Sequence, residues 1–574
     1  MYNDVLTQKI LESRGAMKPD DIKTALATAQ DKKIRLEDVV MGQMPEETFY
    51  RAAADYFKAP FVDLKGVQVR KDILDLIPEP IATTHQIIAF DKGAEVMKVA
   101  TLDPNDLQTV EFLQRKTGLK LEMHLTTPTA LREILKQYKR SLKAEFEDIA
   151  KGEAGAEAGA TDQDKLRELA EDLPVVRIVE SLLEHAVFEG ASDIHIEPTE
   201  QDLSVRYRVD GILRNVMTLP KNAQAGIMAR IKVLSNLKLD EHRLPQDGRM
   251  KISGPGYKYS VRVSTLPVMD GEKIVMRLLS ETAQALTLPQ LGFNPVHLEM
   301  VKRNIMKPHG IVFVTGPTGS GKTTTLYSVL SIRNTPGVNI STIEDPVEYR
   351  MLGVNQSQVN PKIGFTFAIG LRTLLRQDPN IIMVGEIRDG ETAEIATNAA
   401  MTGHLVFATL HTNDAVTAFP RLADMGVPRF LVAFTCNMII AQRLVRKVCK
   451  SCTQPYILTK EQVEEINRLY NFEKIRKSLV ANKLAPDTTL DKIQFHRGAG
   501  CKMCNDEGYK GRVGIYEVLE TTREIQDLIN KNASSGEIQD AAERLGMINL
   551  VTDGFTKAIA GVTSLEEIMR VTKE

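Results

Sequence analysis

The chain has no tryptophan, 5 cysteines and 5% aromatic residues among 574, and its 73 basic and 75 acidic side chains leave a formal net charge of −2. Each scarcity excludes something. Near-neutral charge offers no basic footprint for tracking nucleic-acid phosphates, and few aromatics offer few platforms for stacking bases. The cysteines are too few to staple a disulfide scaffold. The most apolar stretch, Leu431 to Ala441, is short and interrupted by Thr435 and Asn437, so no helix is expected to span a bilayer. The start, MYNDVLTQKILESRG, lacks the basic-then-apolar pattern of a signal segment, which points to a cytoplasmic chain. What is plentiful is apolar material, 43% of the residues. At about 150 residues per domain, this length suits roughly three to four domains.

Organisation along the chain follows from periodicity. ILESRGAMKPDDIKTALATAQ reads as two amphipathic helices around a turn at Gly15, and a similar helical pattern recurs over 45–57. HQIIAFDKGAEVMKVATLD reads as a hairpin turning at Asp91–Gly93, followed by helices at 106–117 and 128–142. The run KGEAGAEAGATDQDK (151–165) cannot bury enough surface to order itself and marks a linker. Beyond it, 175–188 is expected as a helix, and LSVRYRVDGIL (203–213) and YSVRVSTLP (259–267) as strands. The runs GIVFVT, NISTIED, IIMVGE and LVFATL each precede a turn and a helical stretch, the signature of a parallel, doubly wound sheet. The domains expected are an N-terminal α/β regulatory or docking domain (1–145), a linker (146–170), an arginine-rich α/β domain (171–285) and an α/β nucleotide-binding domain (286–574).

Directly after GIVFVT comes Gly316-Pro317-Thr318-Gly319-Ser320-Gly321-Lys322-Thr323-Thr324, a phosphate-binding loop between strand and helix. Its glycines let backbone N–H groups cradle phosphate oxygens, and the following helix start adds partial positive charge. Lys322 is assigned to the β and γ phosphates of ATP and the Thr323 hydroxyl to Mg²⁺. NISTIED delivers Glu344 and Asp345 at a strand end, and IIMV ends in Gly385-Glu386. Carboxylates there polarise the attacking water or hold Mg²⁺ through water. His404 and His411 flank the strand LVFATL and are read as γ-phosphate sensors.

Cys449-x-x-Cys452 and Cys501-x-x-Cys504, with 48 residues between the pairs, suit a closed structural Zn²⁺ site, with 453–500 as an inserted helical segment stapled at its base. Cys436 is expected in an apolar helix, buried and inert.

GPTGSGKTTTLY, STIEDPVEYR, LRTLLRQDPNIIMVGEIRD and TGHLVFATLHTNDA resemble, in order and spacing, the Walker A, Asp box, Walker B and His box of the secretion-ATPase superfamily. The resemblance is to its branch of type IV pilus assembly and type II secretion ATPases. Asn380 stands where that family often has aspartate. The resemblance implies a RecA-like core preceded by a PAS-like domain, ASDIHIEP through VRVSTLP, that swings over the nucleotide. A mobile neighbour supplying guanidinium to the γ-phosphate is arginine-finger logic. Arg249, Arg262 and Arg277 are the candidates, and Arg206 and Arg208, two apart on a strand, share one face. Tetracysteine zinc elements belong to the same branch. The N-terminal region resembles the family's cyclic di-GMP-binding module, but Arg35-Leu36-Glu37 replaces an R-L-G motif, and Glu37 adds bulk and negative charge where a phosphate would approach. Docking to a membrane platform or accessory protein is therefore its expected role.

The leading expectation is a hexameric Mg²⁺-dependent ATPase driving pilin polymerisation at the cytoplasmic face of the inner membrane. It would act through a platform protein and accessory pilus proteins. The alternatives are a type II secretion ATPase, a nucleic-acid translocase and a non-catalytic nucleotide switch.

Overall fold

The computed structural model describes residues 2–573 except 3, 14–15, 33–35, 136, 139–168, 255–256, 282–284, 502–503 and 505. The expected turn at Gly15, most of the expected linker and the end of the expected 128–142 helix therefore lie outside the described residues. Two compact units emerge: Met1–Thr282 together with Cys501–Asp506, and Ala283–Gly500 together with Glu507–Glu574. Among the described residues no helix is long and apolar enough to cross a membrane.

The first unit begins with helices Asp4–Ser13, Pro19–Lys32, Leu36–Met41 and Glu46–Phe57. Its small sheet holds β1 (Ile87–Lys92), β2 (Val96–Thr101) and β3 (Lys120–Leu125), with β1 and β2 forming the expected hairpin and β3 parallel to β2. Glu37 does not face solvent. Its carboxylate is buried, accepting the Tyr2 N–H at 2.8 Å and the Tyr50 hydroxyl at 3.3 Å. The expectation that it repels an approaching phosphate is corrected: Glu37 turns inward, where its buried carboxylate accepts from donors of the core.

A second sheet follows, all antiparallel, in the order β6-β5-β4-β9-β8-β7. Its strands are β4 (Asp193–Pro198), β5 (Asp202–Val209), β6 (Ile212–Pro220), β7 (Gln246–Gly254), β8 (Tyr257–Val268) and β9 (Gly271–Ser280). One face, with Ile194, Ile196, Val205, Tyr207, Val261, Val263, Ile274 and Met276, packs on the helices Leu173–Phe188 and Gln224–Leu234. The stretch 203–213 is not the single strand expected. Asp210 and Gly211 both have positive φ and turn the chain from β5 into β6, the two-residue hairpin that an Asp-Gly pair favours.

His85 ends the helix Glu79–His85 and links three elements of this unit. Its Nδ1 lies 2.7 Å from Asp106, the N-cap of helix Leu107–Thr117, and its Nε2 lies 3.2 Å from Glu189 after helix Leu173–Phe188. Burial alone would lower the His85 pKa, but hydrogen bonds to both carboxylates outweigh it and push the value up to about 8. A raised histidine pKa means the charged form stabilises the fold: the contribution is full below the ordinary 6.5 and fades as pH rises through about 8. It is worth about 2 kcal/mol. Hydrogen–deuterium exchange, corrected for intrinsic rate, is expected to accelerate in 79–85 and 107–117 between pH 6.5 and 9, and His85→Gln should remove that pH dependence. Equal slopes in both proteins would discount the pair.

The second unit is built on a seven-stranded sheet of order β12-β11-β13-β14-β10-β15-β18. Its strands are β10 (Gly310–Thr315), β11 (Ile340–Glu344), β12 (Val354–Gln358), β13 (Ile381–Val384), β14 (Leu405–Leu410), β15 (Cys436–Val448) and β18 (Tyr509–Glu520). All neighbours run parallel except β15 with β18. Both faces are covered, which is why the strands read as unbroken apolar runs. Ile311, Phe313, Ile382, Val384 and Val406 enter one core, while Val312, Val314, Ile381, Met383 and Phe407 enter the other. Cys436 opens β15 instead of lying within a helix; it is buried, and burial pushes its thiol up to about 12. Asn380 keeps a structural job, exchanging hydrogen bonds with the Asn339 backbone at 2.8 and 2.9 Å.

The region 453–500 is not wholly helical. Helices Lys460–Leu469 and Phe472–Ala481 share a core, through Ile466, Phe472 and Phe495, with a two-stranded ribbon of β16 (Thr453–Tyr456) and β17 (Phe495–Gly498).

Candidate functional site

The parallel strands β11, β13, β14 and β10 are sheet neighbours, so the loops leaving their C-terminal ends share one edge. Ligands of doubly wound folds bind at such an edge. Here it carries Glu344, Glu386, His411 and the loop starting at Gly316. That loop is built for close approach. Gly316, Gly319 and Gly321 have φ of 145°, 79° and 87°. A Cβ on Gly316 would sit 2.5 Å from the Gln442 carbonyl oxygen, which no larger residue tolerates. Gly321 is the N-cap of helix Lys322–Arg333, leaving that helix's first N–H groups turned to the loop. Lys322 folds back to donate to the Gly316 and Pro317 carbonyls at 2.8 and 3.1 Å. Burial lowers its pKa, opposed by the charge of Glu386. Thr318 and Gly319 are exposed, Ser320 is buried, and Thr323 and Thr324 are half-buried.

Glu386 pairs with Arg388 at 2.6 Å and lies 3.4 Å from His411 Nε2. Glu344 is buried and fully engaged, accepting from Tyr327 at 2.5 Å, Thr342 at 2.6 Å and Gln356 at 3.2 Å. Burial raises its pKa despite these donors. Gln356 lies outside the phosphate-loop and acid motifs, and Tyr327, the last residue of GPTGSGKTTTLY, carries no local sign that it bonds a distant carboxylate. His404 is corrected. It precedes β14, beside the start of β10, at the edge opposite the loop, and its ring bonds the Ala399 carbonyl at 3.0 Å. The structure does not bring it to the phosphate loop of its own chain.

In the other unit the three candidate arginines fall into one line. Register pairs Arg249 with Arg262, Arg262 with Arg277, Arg277 with Asp193, and Asp193 with Arg208. Directly paired residues share a face, so four guanidinium side chains and one carboxylate cross five adjacent strands on the side away from the core. Asp193 accepts from Arg277 at 2.8 Å and meets Arg208 at 3.4 Å. Like charges set directly opposite on neighbouring strands repel, and Asp193 offsets part of that repulsion. Arg206, by contrast, is paired with Glu197 at 2.7 Å.

The four cysteine sulfurs lie within 4.8 Å of one another, with Cys449, Cys452 and Cys504 buried and Cys501 half-buried. Tetrahedral Zn–S bonds of about 2.3 Å require sulfurs about 3.8 Å apart, and Cys501 and Cys504 lie 3.6 Å apart. The donor set fits zinc. Two ladders explain how so wide a sequence gap closes: β15 with β18 ends at Val448↔Tyr509, and β16 with β17 begins at Thr453↔Gly498. The Cys449 N–H donates to Gly508 and the Cys452 carbonyl accepts from Ala499, each at 2.9 Å. Gly498 and Gly508 cross so closely that a Cβ on Gly498 would strike the Gly508 backbone.

A phosphate loop on the central region of a doubly wound sheet, with acids on the next strand ends, defines a P-loop ATPase. The chain belongs to the family described as Type II/IV secretion system protein, whose model matches residues 168–570, and an MshEN domain model matches 57–145. It is 40% identical over 537 residues to the type IV pilus assembly ATPase PilB of Myxococcus xanthus, covering 92% of each chain. It is also 40% identical over 514 residues to the type II secretion system protein E of Dickeya dadantii, covering 88% of this chain and 98% of that one. Among solved structures, the Legionella pneumophila ATPase DotB matches with a TM-score of 0.50 at 22% identity, over 69% of this chain and 95% of that one, a likeness of fold. The chain is thus an ATPase of the pilus and secretion kind.

Proposed function

We propose that this ATPase works as a hexamer, with Mg²⁺, to power pilin polymerisation in a type IV pilus machine. It would sit at the cytoplasmic face of the inner membrane and push on a platform protein. The single observation supporting catalysis is the shared edge where Lys322, Glu386 and His411 meet the phosphate loop. ATP phosphates would lie against the N–H groups of 316–324, with Lys322 leaving its carbonyl partners for the β and γ oxygens. Mg²⁺, where bound, would take the Thr323 hydroxyl and, through water, a carboxylate, and would neutralise phosphate charge. His411, beside Glu386, would report on the γ-phosphate. Glu344 or Glu386 would take the proton of the attacking water. The row Arg249, Arg262 and Arg277 would stabilise transition-state charge, from the same or a neighbouring subunit. The absence of an R-L-G motif at 35–37 supports docking over cyclic di-GMP binding for the N-terminal domain.

Phosphate release by Glu386→Gln and Glu344→Gln proteins tests this reading. The true base loses about 10²- to 10⁴-fold in kcat while still binding ATP; wild-type rates in both would overturn it. The 98% coverage of the Dickeya protein favours a type II secretion role as the second reading. Deleting the gene should abolish surface pili in the first case and protein export in the second.

A further inference from the structure

Strand β15 runs beside β10, and the register Thr315↔Ala441 sets Gln442 alongside Gly316, the first residue of the phosphate loop. The Gln442 side chain is 1% exposed. Its Nε2 donates to the Ser320 carbonyl at 2.7 Å, and its Oε1 accepts from the Thr325 hydroxyl at 2.8 Å. Neither end is replaceable by a simpler group: a carbonyl needs a donor, a hydroxyl here needs an acceptor, and only an amide offers both within one planar fork. A carboxylate would set an acceptor against the Ser320 carbonyl, and a thioether would leave both partners without a strong bond.

We infer that Gln442 is a positioning residue for the phosphate loop, holding the Ser320–Gly321 peptide in the orientation that nucleotide binding requires. The reason lies in peptide planarity. In a trans peptide the C=O and the following N–H point in opposite directions. Fixing the Ser320 carbonyl on Gln442 therefore turns the Gly321 N–H away from β15 and toward the inside of the loop, where a phosphate oxygen would lie. The Thr325 hydroxyl fixes the other end of the amide, one turn into the helix that follows the loop, so loop and helix start keep a constant relation. The next residue extends the same brace: Arg443 donates to Asn413 at 3.2 Å, in the loop that follows His411. Thr315, at the end of β10, exchanges hydrogen bonds with Thr412 at 2.7 and 2.8 Å. The brace acts on ATP only through backbone geometry, and it rests on the reading of 316–324 as the nucleotide site.

The test is binding of a fluorescent ATP analogue to the full chain, with thermal melting recorded without nucleotide. Gln442→Met keeps the volume and removes both bonds. Its Kd is expected to rise about tenfold or more, at the scale of losing two buried hydrogen bonds, with a parallel fall in kcat and a folded, cooperatively melting protein. Thr325→Val, which removes one bond and leaves the Ser320 contact, should weaken binding by a smaller factor. Added to Gln442→Met it should cost less than it does alone, because the Gln442 bond is already gone and only its contact with Tyr516 is left to lose. A wild-type Kd in Gln442→Met overturns the inference, and so does full additivity of the two substitutions. Lys322→Ala separates the levels: if it too binds ATP normally, the nucleotide-site reading fails; if it loses binding while Gln442→Met does not, only the brace fails.

Discussion

Lys322→Ala is expected to lower kcat/KM for ATP hydrolysis by about 10²- to 10³-fold, the scale of removing one preorganised donor from developing transition-state charge. The lysine is the first residue of helix Lys322–Arg333, rooted one position after the Gly321 N-cap, so its Cα is fixed while its stem swings. Without nucleotide the ammonium rests on the carbonyls of Gly316 and Pro317. Those are contacts of modest strength, so transfer to a phosphate oxygen exchanges neutral acceptors for a charged one. Partial burial already makes its charge costly, which sharpens its preference for an anion. Lys322→Arg should not rescue the loss, since a branched, planar guanidinium does not follow the path of an ammonium through a loop this tight. Steady-state phosphate release by the full chain checks both; a Lys322→Ala protein above a tenth of the wild-type rate would exclude the proposed role.

The parts of this molecule that were legible in the sequence are those set by local pattern. GIVFVT and IIMV lie buried on both faces and read so because parallel central strands have no polar side. The hairpin around Asp91–Gly93 and the capped helix after Asp106 were equally local. What escaped notice depends on register between distant strands. Arg249, Arg262, Arg277 and Arg208 are scattered in sequence, and only the pairing of β7, β8, β9, β4 and β5 sets them in a row. Gln442 looks like an isolated polar residue in an apolar strand until β10 is laid beside it. His404 and His411 look equivalent, flanking one strand, yet a six-residue strand spans about 20 Å, so only one of them can stand at the loop edge. The inward turn of Glu37 is not legible in the sequence, because nothing local says which way a helix-start carboxylate turns. The Asp210–Gly211 turn is different: its signal was present and outweighed by the apolar and basic alternation around it.

The second large effect concerns the cysteines. Purified protein is expected to hold about one zinc per chain, and a strong chelator should release it and open the segment 449–508. Four buried or half-buried thiols within 4.8 Å are an unstable arrangement once the metal leaves, because zinc-bound thiolates must take up protons and then offer only weak hydrogen bonds. Structural zinc in small domains contributes about 10–16 kcal/mol of apparent binding free energy at neutral pH. Here the consequence should stay partly local. The long β15–β18 ladder continues from Arg446 to Met438 without the metal, and beyond the sulfurs the chain is tied by Arg446, which bonds Glu567 at 2.6 Å and stacks over Tyr509 at 4.2 Å. Burial opposes ionisation of Glu567, but hydrogen bonds from Arg570 and Arg446 prevail and hold its pKa down to about 2. This clamp therefore keeps its strength at neutral pH and weakens only in acid. Chelation should thus accelerate hydrogen exchange and proteolysis in the ribbon β16–β17 and in residues 501–508, while the phosphate loop stays protected. Cys452→Ser should behave as the chelated protein does. Unchanged protection of 449–508 after complete zinc removal would sink the assignment, whereas loss of protection at 316–324 as well would show that the metal supports the whole sheet through β15.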